Sequence, residues 1–210
     1  LEAIDAGRLD DEIVPIEVPQ RRGGAKLFER DEHPRPGISV EALAGLPPVQ
    51  EGGTITAGNA AGMNDGAEAA LVCNEKGLKK LGLEPLARFI MPGMAQVGCD
   101  PNLMGYSCVD ALNAALQAAE MRTEDLDLIE CNEGFAVQLV ACQRVGGWAS
   151  ERLNVDGGSV GLGHPAGMSG VRITVHLAHA LKQRHLKLGG ATIPAGSGLG
   201  TAVLLERVAA

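Results

Sequence analysis

Three turns carry the residues of this sequence that could do chemistry, and the first surrounds His164. Six glycines (157, 158, 161, 163, 167 and 170) lie about this histidine, and Pro165 follows it. Proline favours the first position of a helix, so the sequence predicts that His164 lies at a helix N-terminus. The positive end of the helix dipole disfavours an imidazolium there. We therefore expect a neutral ring that can accept a proton or donate one hydrogen bond.

The other two turns follow predicted strands. Asn132 and Glu133 come directly after the segment LDLIEC, which is typical of a buried strand bounded by charge. An amide at the carboxyl end of a strand points into the crevice where open α/β sheets bind ligands. Gly196 lies in the turn AGSG of residues 195–198, whose small side chains expose backbone N–H groups. Such groups can stabilise an oxyanion.

Each of these residues also has an explanation without chemistry. The glycines around His164 fit close packing between a strand and a helix, with His164 as a capping residue. Asn132 suits a helix N-cap. On the following helix, His176 and His179 share one face with Arg172, and this pattern favours a solvated polar face over a metal site.

Alternating strands and helices must position these turns. The patterns predict strands over residues 11–18, 87–97 and 126–131, helices over 39–44, 75–81, 109–119, 135–145 and 165–186, and closing strands over 191–195 and 201–206. Strands that alternate with helices predict an α/β layered fold. We expect the two closing strands to form a hairpin at the sheet edge.

Composition restricts the class of protein. The 210 residues are 45% hydrophobic but only 2% aromatic, so the core must consist of small aliphatic side chains. A net charge of −8 argues against nucleic-acid and membrane-surface partners, which need a basic face. No apolar run has membrane-spanning length. Five cysteines without a C-x-x-C pair argue against disulfides or structural zinc and for a reducing compartment.

The chain divides at about residue 52. Residues 19–53 are polar and rich in proline and glycine, and they are too long for an ordinary connection. This composition indicates a lid or part of a separate subdomain. A pattern of small residues and apolar runs begins at Gly53. The first residues, Leu1-Glu2-Ala3, lack a methionine and resemble a helix end, so we expect a piece of a longer protein.

Four segments together resemble the C-terminal half of the thiolases, enzymes that cleave or form 3-ketoacyl-CoA. They are TAGNAAGMNDGA (56–67), NEGFA (132–136), GG-x4-GHP-x-G-x-SG-x-R (157–172) and the closing G-x-G-x-G (196–200). The resemblance runs in order along nearly the whole chain. It implies a duplicated α/β fold in five αβαβα layers. Residues 53–210 would form the C-terminal domain, and residues 1–52 the end of the N-terminal half with a loop-domain segment.

The resemblance also implies roles for individual residues. His164 would activate a nucleophilic cysteine and, with Asn132 and a water that it holds, form an oxyanion hole for the thioester oxygen. The backbone N–H of Gly196 would serve a second oxyanion hole. Arg35 would lie by the coenzyme A nucleotide and supply local positive charge. The other expected contacts of the acyl and pantetheine chain are Ala57, Ala61, Met104 and Phe135. Coenzyme A thioester is the expected substrate, with no separate cofactor and no metal.

Two groups that the resemblance requires are absent. The nucleophilic cysteine belongs to an N-terminal half, in the same protein or a second chain. The acid/base cysteine of the family is replaced by Pro194, which cannot move a proton at the substrate α-carbon. Ala61 replaces a serine, and Ser107-Cys108 replace glycine-proline. Cys108 could supply the missing thiol, although a free cysteine is more often a small core residue.

These observations support one leading hypothesis and two alternatives. The leading one is a thiolase-type acyltransferase for 3-ketoacyl-CoA cleavage or acetyl-CoA condensation, impaired or altered by Pro194. The alternatives are a non-catalytic paralogue that binds CoA or serves assembly, and an acyltransferase for an unusual acyl group. We expect a homodimer or homotetramer without nucleic-acid or membrane partners. The expected location is the cytoplasm, or the mitochondrial or peroxisomal matrix of a eukaryote.

Overall fold

The computed structural model describes residues 1–208, of which residues 1–86 form short elements. These are helix α1 (Glu2–Asp5), strands β1 (Ile16–Pro19) and β2 (Ala25–Phe28), and helices α2 (Val40–Ala44) and α3 (Glu75–Leu81). β1 and β2 pair as an antiparallel two-stranded sheet. The strand predicted over residues 11–18 is correct only in its last part. Asp10–Glu12 form a 3-10 turn, and Pro15 has no N–H for a strand ladder.

Polar caps define α2 and α3, and both predicted helices are confirmed. Ser39 Oγ accepts from the Ala42 N–H at 3.1 Å, and Asn74 Oδ1 accepts from the Gly77 N–H at 3.0 Å. α3 ends at Gly82, whose φ of 65° lies in the left-handed region. These helices could be read from the sequence because their caps are adjacent to them in the chain.

A four-stranded sheet lies at the centre of residues 87–207. Its strands are β3 (Ala87–Gly98), β4 (Leu128–Cys131), β5 (Leu188–Ala195) and β6 (Leu199–Arg207), in the order β3-β6-β5-β4. β4 and β5 are parallel, whereas β6 is antiparallel to both β5 and β3. The predicted closing hairpin is confirmed as β5 and β6. Its expected position at the sheet edge is wrong, because β3 and β4 pair on either side of it.

Helices cover both faces of this sheet, which confirms the predicted α/β fold. They are α4 (Ser107–Ala118) and α5 (Ala136–Gly146) on one face and, on the other, α7 (Ser169–Gln183), which follows the short α6 (Ser159–Leu162). Successive strand residues alternate between the faces: Ile129 packs in the core with α4, and Leu128 packs in the core with α7. None of the helices within residues 1–208 has the length and apolarity needed to cross a bilayer.

The polar face of α7 is buried at His176, whereas Arg172 and His179 are partly exposed and Gln183 is exposed. His176 on this face is 7% exposed. Acidic side chains from three distant parts of the chain contact it: Glu12, Glu130 and Asp156. The prediction of a solvated face is therefore wrong at His176. Helical spacing identifies a polar face but does not show that other polar segments cover it.

Candidate active site

The carboxyl ends of the parallel strands β4 and β5 lie at one edge of the sheet and carry two of the predicted residues. Asn132 directly follows β4, and Gly196 directly follows β5. The Asn132 N–H donates to the Thr192 carbonyl at 2.9 Å. This bond fixes the first turn against the strand that leads to the second. The structure therefore brings these two predicted turns to the same edge of the sheet.

The side-chain amide of Asn132 is buried and held by other elements. Ser159 Oγ donates to Asn132 Oδ1 at 2.7 Å, and Arg172 Nη2 donates to Ser159 Oγ at 2.7 Å. Asn132 lines a cleft of about 950 Å³. Its alternative role as a helix N-cap is wrong, because the residue before α5 is Phe135 and no side chain caps that helix.

The sequence predicts that His164 lies at the N-terminus of α7. In the structure, His164 instead lies one turn before α7. The Ser169 N–H donates to the Pro165 carbonyl, which closes a single turn, and regular helix begins only at Ser169 after Met168 with φ of −113°. His164 Nδ1 lies 2.7 Å from Ser169 Oγ, which donates to the Pro165 carbonyl at 3.1 Å. When this single hydroxyl proton goes to the Pro165 carbonyl, Nδ1 carries the imidazole proton. Nε2 is then the free base.

The pKa of His164 is lowered from 6.5, as predicted, but the cause is different. Burial lowers it most, and the positive charge of Arg172 lowers it further. The helix dipole is not needed to explain a neutral ring. At neutral pH, His164 Nε2 is therefore able to accept a proton.

The loop TAGNAAGMNDGA reaches this site through backbone hydrogen bonds. The Ala61 N–H donates to the Gly134 carbonyl at 3.1 Å, and the preceding residue, Ala60, pairs with Phe135. The His164 N–H donates to the carbonyl of Gly62, the next loop residue, at 2.7 Å. Ala61, Phe135 and His164 are therefore neighbours. Ala57 is exposed at the start of the same loop.

Two glycines of the His164 turn are required by the protein's own side chains. Gly163 has φ of +94°, and a Cβ there would lie 2.2 Å from Asn64 Oδ1. A Cβ at Gly158 would lie 2.3 Å from the carboxyl carbon of Glu133. Glu133 in turn accepts the Val160 N–H at 3.0 Å and fixes the start of α6. Close packing, the alternative left open by the sequence, therefore accounts for these two positions.

The terminal glycine turn packs against the turn that contains Met104. Ser107 Oγ lies 2.6 Å from the Met104 carbonyl and 2.7 Å from the Leu199 carbonyl, within hydrogen-bond distance of both. Leu199 follows the Gly196–Gly198 turn directly. Ser107 stands where the thiolase pattern has glycine, and its hydroxyl joins the two turns.

Pro194 lies at the same edge, on β5 opposite Gly200. Cys108 does not supply the missing thiol there, because it is fully buried in α4. Hydrogen bonding to Cys131 lowers the pKa of Cys108, but hydrogen bonding to Cys142 and burial raise it more strongly. The net effect is a pKa far above the ordinary range, so Cys108 is a neutral core residue.

Cys108, Cys131 and Cys142 form a buried cluster that the sequence spacing did not indicate. Their sulfur atoms lie within 4.8 Å of one another, close enough to ligate a soft metal ion. Gln138 Nε2 lies 3.6 to 4.0 Å from all three sulfurs. Its orientation is fixed because Gln138 Oε1 accepts the Gly134 N–H at 3.0 Å. The Gln138 amide thus donates hydrogen bonds to the three cysteines, which form no disulfide.

Arg35 is exposed on a segment that contacts the loop beside His164. The ring of His33, two residues earlier, packs against Gly62, where a Cβ would lie 2.4 Å from His33 Cε1. Gly62 in turn accepts the His164 N–H. Arg35 is therefore two residues from the wall of the site. Its role at the coenzyme A nucleotide stays a prediction.

A buried charge cluster on α7, missed from the sequence, borders the same cleft. His176 Nδ1 lies 2.8 Å from Glu12 Oε1, and His176 Nε2 lies 3.4 Å from Asp156 Oδ2 and 3.9 Å from Glu130 Oε1. Burial lowers the pKa of His176, but hydrogen bonds to Asp156 and Glu12 raise it to about 10. Burial raises the pKa of Glu130 to about 8. At neutral pH the imidazolium therefore faces a protonated Glu130.

Two family models match the chain. The model described as thiolase, N-terminal domain, matches residues 1–76, and the model described as thiolase, C-terminal domain, matches residues 83–207. The chain belongs to the thiolase family. The resemblance found from the motifs is thereby confirmed. The division of this thiolase chain after residue 52 stays a prediction.

Thiolases from distant organisms are similar to nearly the whole chain. An acetyl-CoA acetyltransferase of Pseudomonas aeruginosa is 48% identical, with 98% of this chain and 52% of the relative covered. The mitochondrial 3-ketoacyl-CoA thiolase of Homo sapiens is 43% identical, with 99% and 52% covered. A crystal structure of the human mitochondrial thiolase in complex with CoA has a TM-score of 0.92 and 42% identity, with 99% and 51% covered. The chain spans about half the length of the relatives it matches.

Proposed function

We propose that this chain is the C-terminal half of a thiolase-type acyltransferase that acts on CoA thioesters. The observation that carries the proposal is the arrangement of Asn132 and Gly196 at the ends of β4 and β5, beside the turn of His164. The reaction would be 3-ketoacyl-CoA cleavage or acetyl-CoA condensation. The names of the relatives, acetyl-CoA acetyltransferase and 3-ketoacyl-CoA thiolase, support this substrate class. The thioester is the substrate, and no separate cofactor is required.

Each site residue has a role that its geometry permits. His164 Nε2 accepts the proton of the nucleophilic cysteine and then donates it in a hydrogen bond to the developing oxyanion. Asn132 polarises the same oxygen, directly or through a water. The Gly196 N–H serves the second oxyanion site. Arg35 pairs with a phosphate of the coenzyme A nucleotide. The acyl and pantetheine chain contacts Ala57, Ala61, Met104 and Phe135.

An N-terminal thiolase half is the first partner in this proposal, in the same protein or as a second chain. It supplies the nucleophilic cysteine. Exposed apolar side chains on α5 (Val137, Val140 and Val145) support association beyond this pair, as a homodimer or homotetramer. The five free thiols suit a reducing compartment, the cytoplasm or a mitochondrial or peroxisomal matrix.

Pro194 limits the proposed activity and favours one competing function. Without an acid/base group at this position, thioester acyl transfer remains feasible, but carbon–carbon bond cleavage and formation are slow. A thiolase paralogue that binds CoA without catalysis would also tolerate Pro194. The two functions differ in whether an acyl group is transferred.

The test uses the chain purified in complex with an N-terminal thiolase half that contains the nucleophilic cysteine. Exchange of the acyl group between acetyl-CoA and isotopically labelled CoA reports acyl transfer, and loss of acetoacetyl-CoA reports cleavage. Exchange with slow cleavage supports the proposal. Binding of CoA without exchange supports the non-catalytic paralogue. Absence of both binding and exchange rejects both functions, and cleavage at the rate of ordinary thiolases shows that Pro194 causes no impairment.

A further inference from the structure

Ser159 links the candidate oxyanion amide to the partly buried cation Arg172, although Ser159 is outside the specified positions of the thiolase motifs. It is 1% exposed and occupies the first of the four variable positions in GG-x4-GHP. Its Oγ lies 2.7 Å from Asn132 Oδ1 and 2.7 Å from Arg172 Nη2. The Asn132 amide is therefore connected in series, through one hydroxyl, to the Arg172 guanidinium.

The available protons fix the direction of this connection. A guanidinium only donates, so Ser159 Oγ accepts the bond from Arg172. The Ser159 hydroxyl proton then needs an acceptor, and Asn132 Oδ1 is its only one among residues 1–208. A reversed Asn132 amide would leave this buried proton without an acceptor, which is costly. Asn132 therefore presents its oxygen to Ser159.

This orientation turns both N–H donors of Asn132 away from Ser159. Asn132 lines the cleft. Within residues 1–208, its side chain makes one hydrogen bond, from Ser159 to Oδ1. Nδ2 is thus available to an oxyanion or to a water that serves one. Without the Ser159 hydroxyl proton, either the oxygen or the nitrogen of the Asn132 amide could face residue 159.

The same guanidinium also holds the His164 turn. Arg172 Nη1 donates to the Gly163 carbonyl at 2.9 Å, and Gly163 directly precedes His164. The planar fork of an arginine can make both bonds at once, whereas the single ammonium of a lysine is a point donor. One side chain therefore sets the orientation of the Asn132 amide and the position of the backbone at His164.

We propose that Ser159 and Arg172 are positioning residues that present the Asn132 N–H donors and His164 to the same thioester oxygen. This role rests on the proposed function, because it concerns the same oxyanion site. Neither residue needs to touch the substrate. A purely structural role, in which Ser159 only packs at the start of α6, would affect stability but not the direction of the amide.

Ser159→Ala removes the orienting proton without adding volume. In the complex with the N-terminal half, we expect kcat for acyl exchange to fall about 10- to 100-fold with KM within about twofold. The midpoint of thermal unfolding should stay near that of the unsubstituted complex. Adding Ser159→Ala to Asn132→Ala should cause no further loss, because Ser159 acts only through Asn132. Ser150→Ala, at an exposed serine bonded to Gln143, is the matched control and should leave kcat unchanged.

Arg172→Lys is the second variant, because it keeps the charge and loses the simultaneous bonds to Ser159 and Gly163. We expect a fall in kcat at least as large as that of Ser159→Ala, since both Asn132 and His164 lose their positioning. An Arg172→Lys complex with unchanged kcat would overturn the proposal. So would additive effects of Ser159→Ala and Asn132→Ala.

A direct readout does not depend on turnover. In protein labelled with ¹³C and ¹⁵N at asparagine, in whatever assembly it forms, the Asn132 Cγ resonance reports whether Oδ1 accepts a hydrogen bond. Ser159→Ala should shift this resonance upfield, and Ser150→Ala should not. An unshifted Cγ resonance would overturn the assigned orientation. If the unsubstituted complex exchanges no acyl groups, the proposed function fails, and the resonance still decides the orientation.

Discussion

The Asn132 N–H and the Thr192 carbonyl lie 2.9 Å apart, and this bond joins the turn after β4 to β5 two residues before Pro194. Pro194, the position of the missing acid/base group, is therefore two residues along β5 from the residue that binds the Asn132 backbone. The sheet also continues past it, because Pro194 pairs with Gly200. The backbone at Pro194 therefore continues the sheet, so a substitution of this side chain tests the role proposed for the position.

Pro194→Cys should raise the rate of acetoacetyl-CoA cleavage by about 100-fold, because a positioned proton donor and acceptor contributes that order of rate. The measurement is kcat in the complex with the N-terminal half. Ile193→Cys is the matched control, since neighbouring strand residues point to opposite faces of the sheet. A Pro194→Cys complex no faster than the unsubstituted one would contradict the assigned role of this position.

Gly163→Ala should lower the free energy of unfolding by about 2 kcal/mol. The new Cβ would collide with Asn64, and φ of +94° is unfavourable for alanine. Denaturant unfolding of the purified protein measures the change. Gly167→Ala in the same turn is the control, because its Cβ would meet no atom within 4 Å and its φ is not positive. Equal effects of the two substitutions would contradict this account of the turn.

His176→Leu should lower the free energy of unfolding by about 3 kcal/mol, because it removes the imidazolium that lies between Glu12 and Asp156. Asp156 keeps its ion pairs with Arg8 and Arg184, so Glu12 is the carboxylate that loses its partner. His179→Gln lies one turn further along α7, on a partly exposed side chain, and should change stability by less than about 0.5 kcal/mol. Urea unfolding of both variants gives the comparison. A stable His176→Leu protein would show that the charge cluster is dispensable.

The stability of the protein should fall as the pH rises from about 6 to about 10. The folded-state pKa of His176 is about 10 against 6.5 unperturbed, and that of Glu130 is about 8 against 4.5. Between these values both groups bind more protons in the folded state than in the unfolded state, so their contribution to the free energy of unfolding decreases with pH. The contribution of Glu130 is lost through pH 8 and that of His176 through pH 10. Glu130→Gln should flatten the lower part of the profile, and a profile rising with pH would contradict both shifts.

Most of the fold could be predicted where its signals are local. The caps at Ser39 and Asn74 are adjacent to α2 and α3, and three of the four residues of β4, the strand before Asn132, are apolar. The position of the β5-β6 hairpin in the sheet could not be predicted, because it depends on pairing with β3, about a hundred residues away in the chain. Burial of His176 likewise depends on Glu12, which is remote in sequence.

The residues of the candidate site could likewise be predicted where their signals are local, but not where their contacts join distant elements. Asn132, His164 and Gly196 were identified because glycine-rich and polar turns after strands are visible in the sequence. The connection from Asn132 through Ser159 to Arg172 was not identified from the sequence. Ser159 lies at a variable motif position, and Arg172 lies on a helix face whose pattern predicts exposure to solvent. The role of Glu133 at the start of α6 was missed for the same reason, because its contacts cross between elements.

The most direct test of the central claim compares acyl exchange between acetyl-CoA and labelled CoA in three complexes with the N-terminal half: unsubstituted, Asn132→Ala and His164→Ala. The account predicts measurable exchange in the unsubstituted complex and a loss of about 100- to 1,000-fold in kcat for each variant, the effect of removing one oxyanion donor. Exchange that proceeds at the same rate in all three complexes would contradict it.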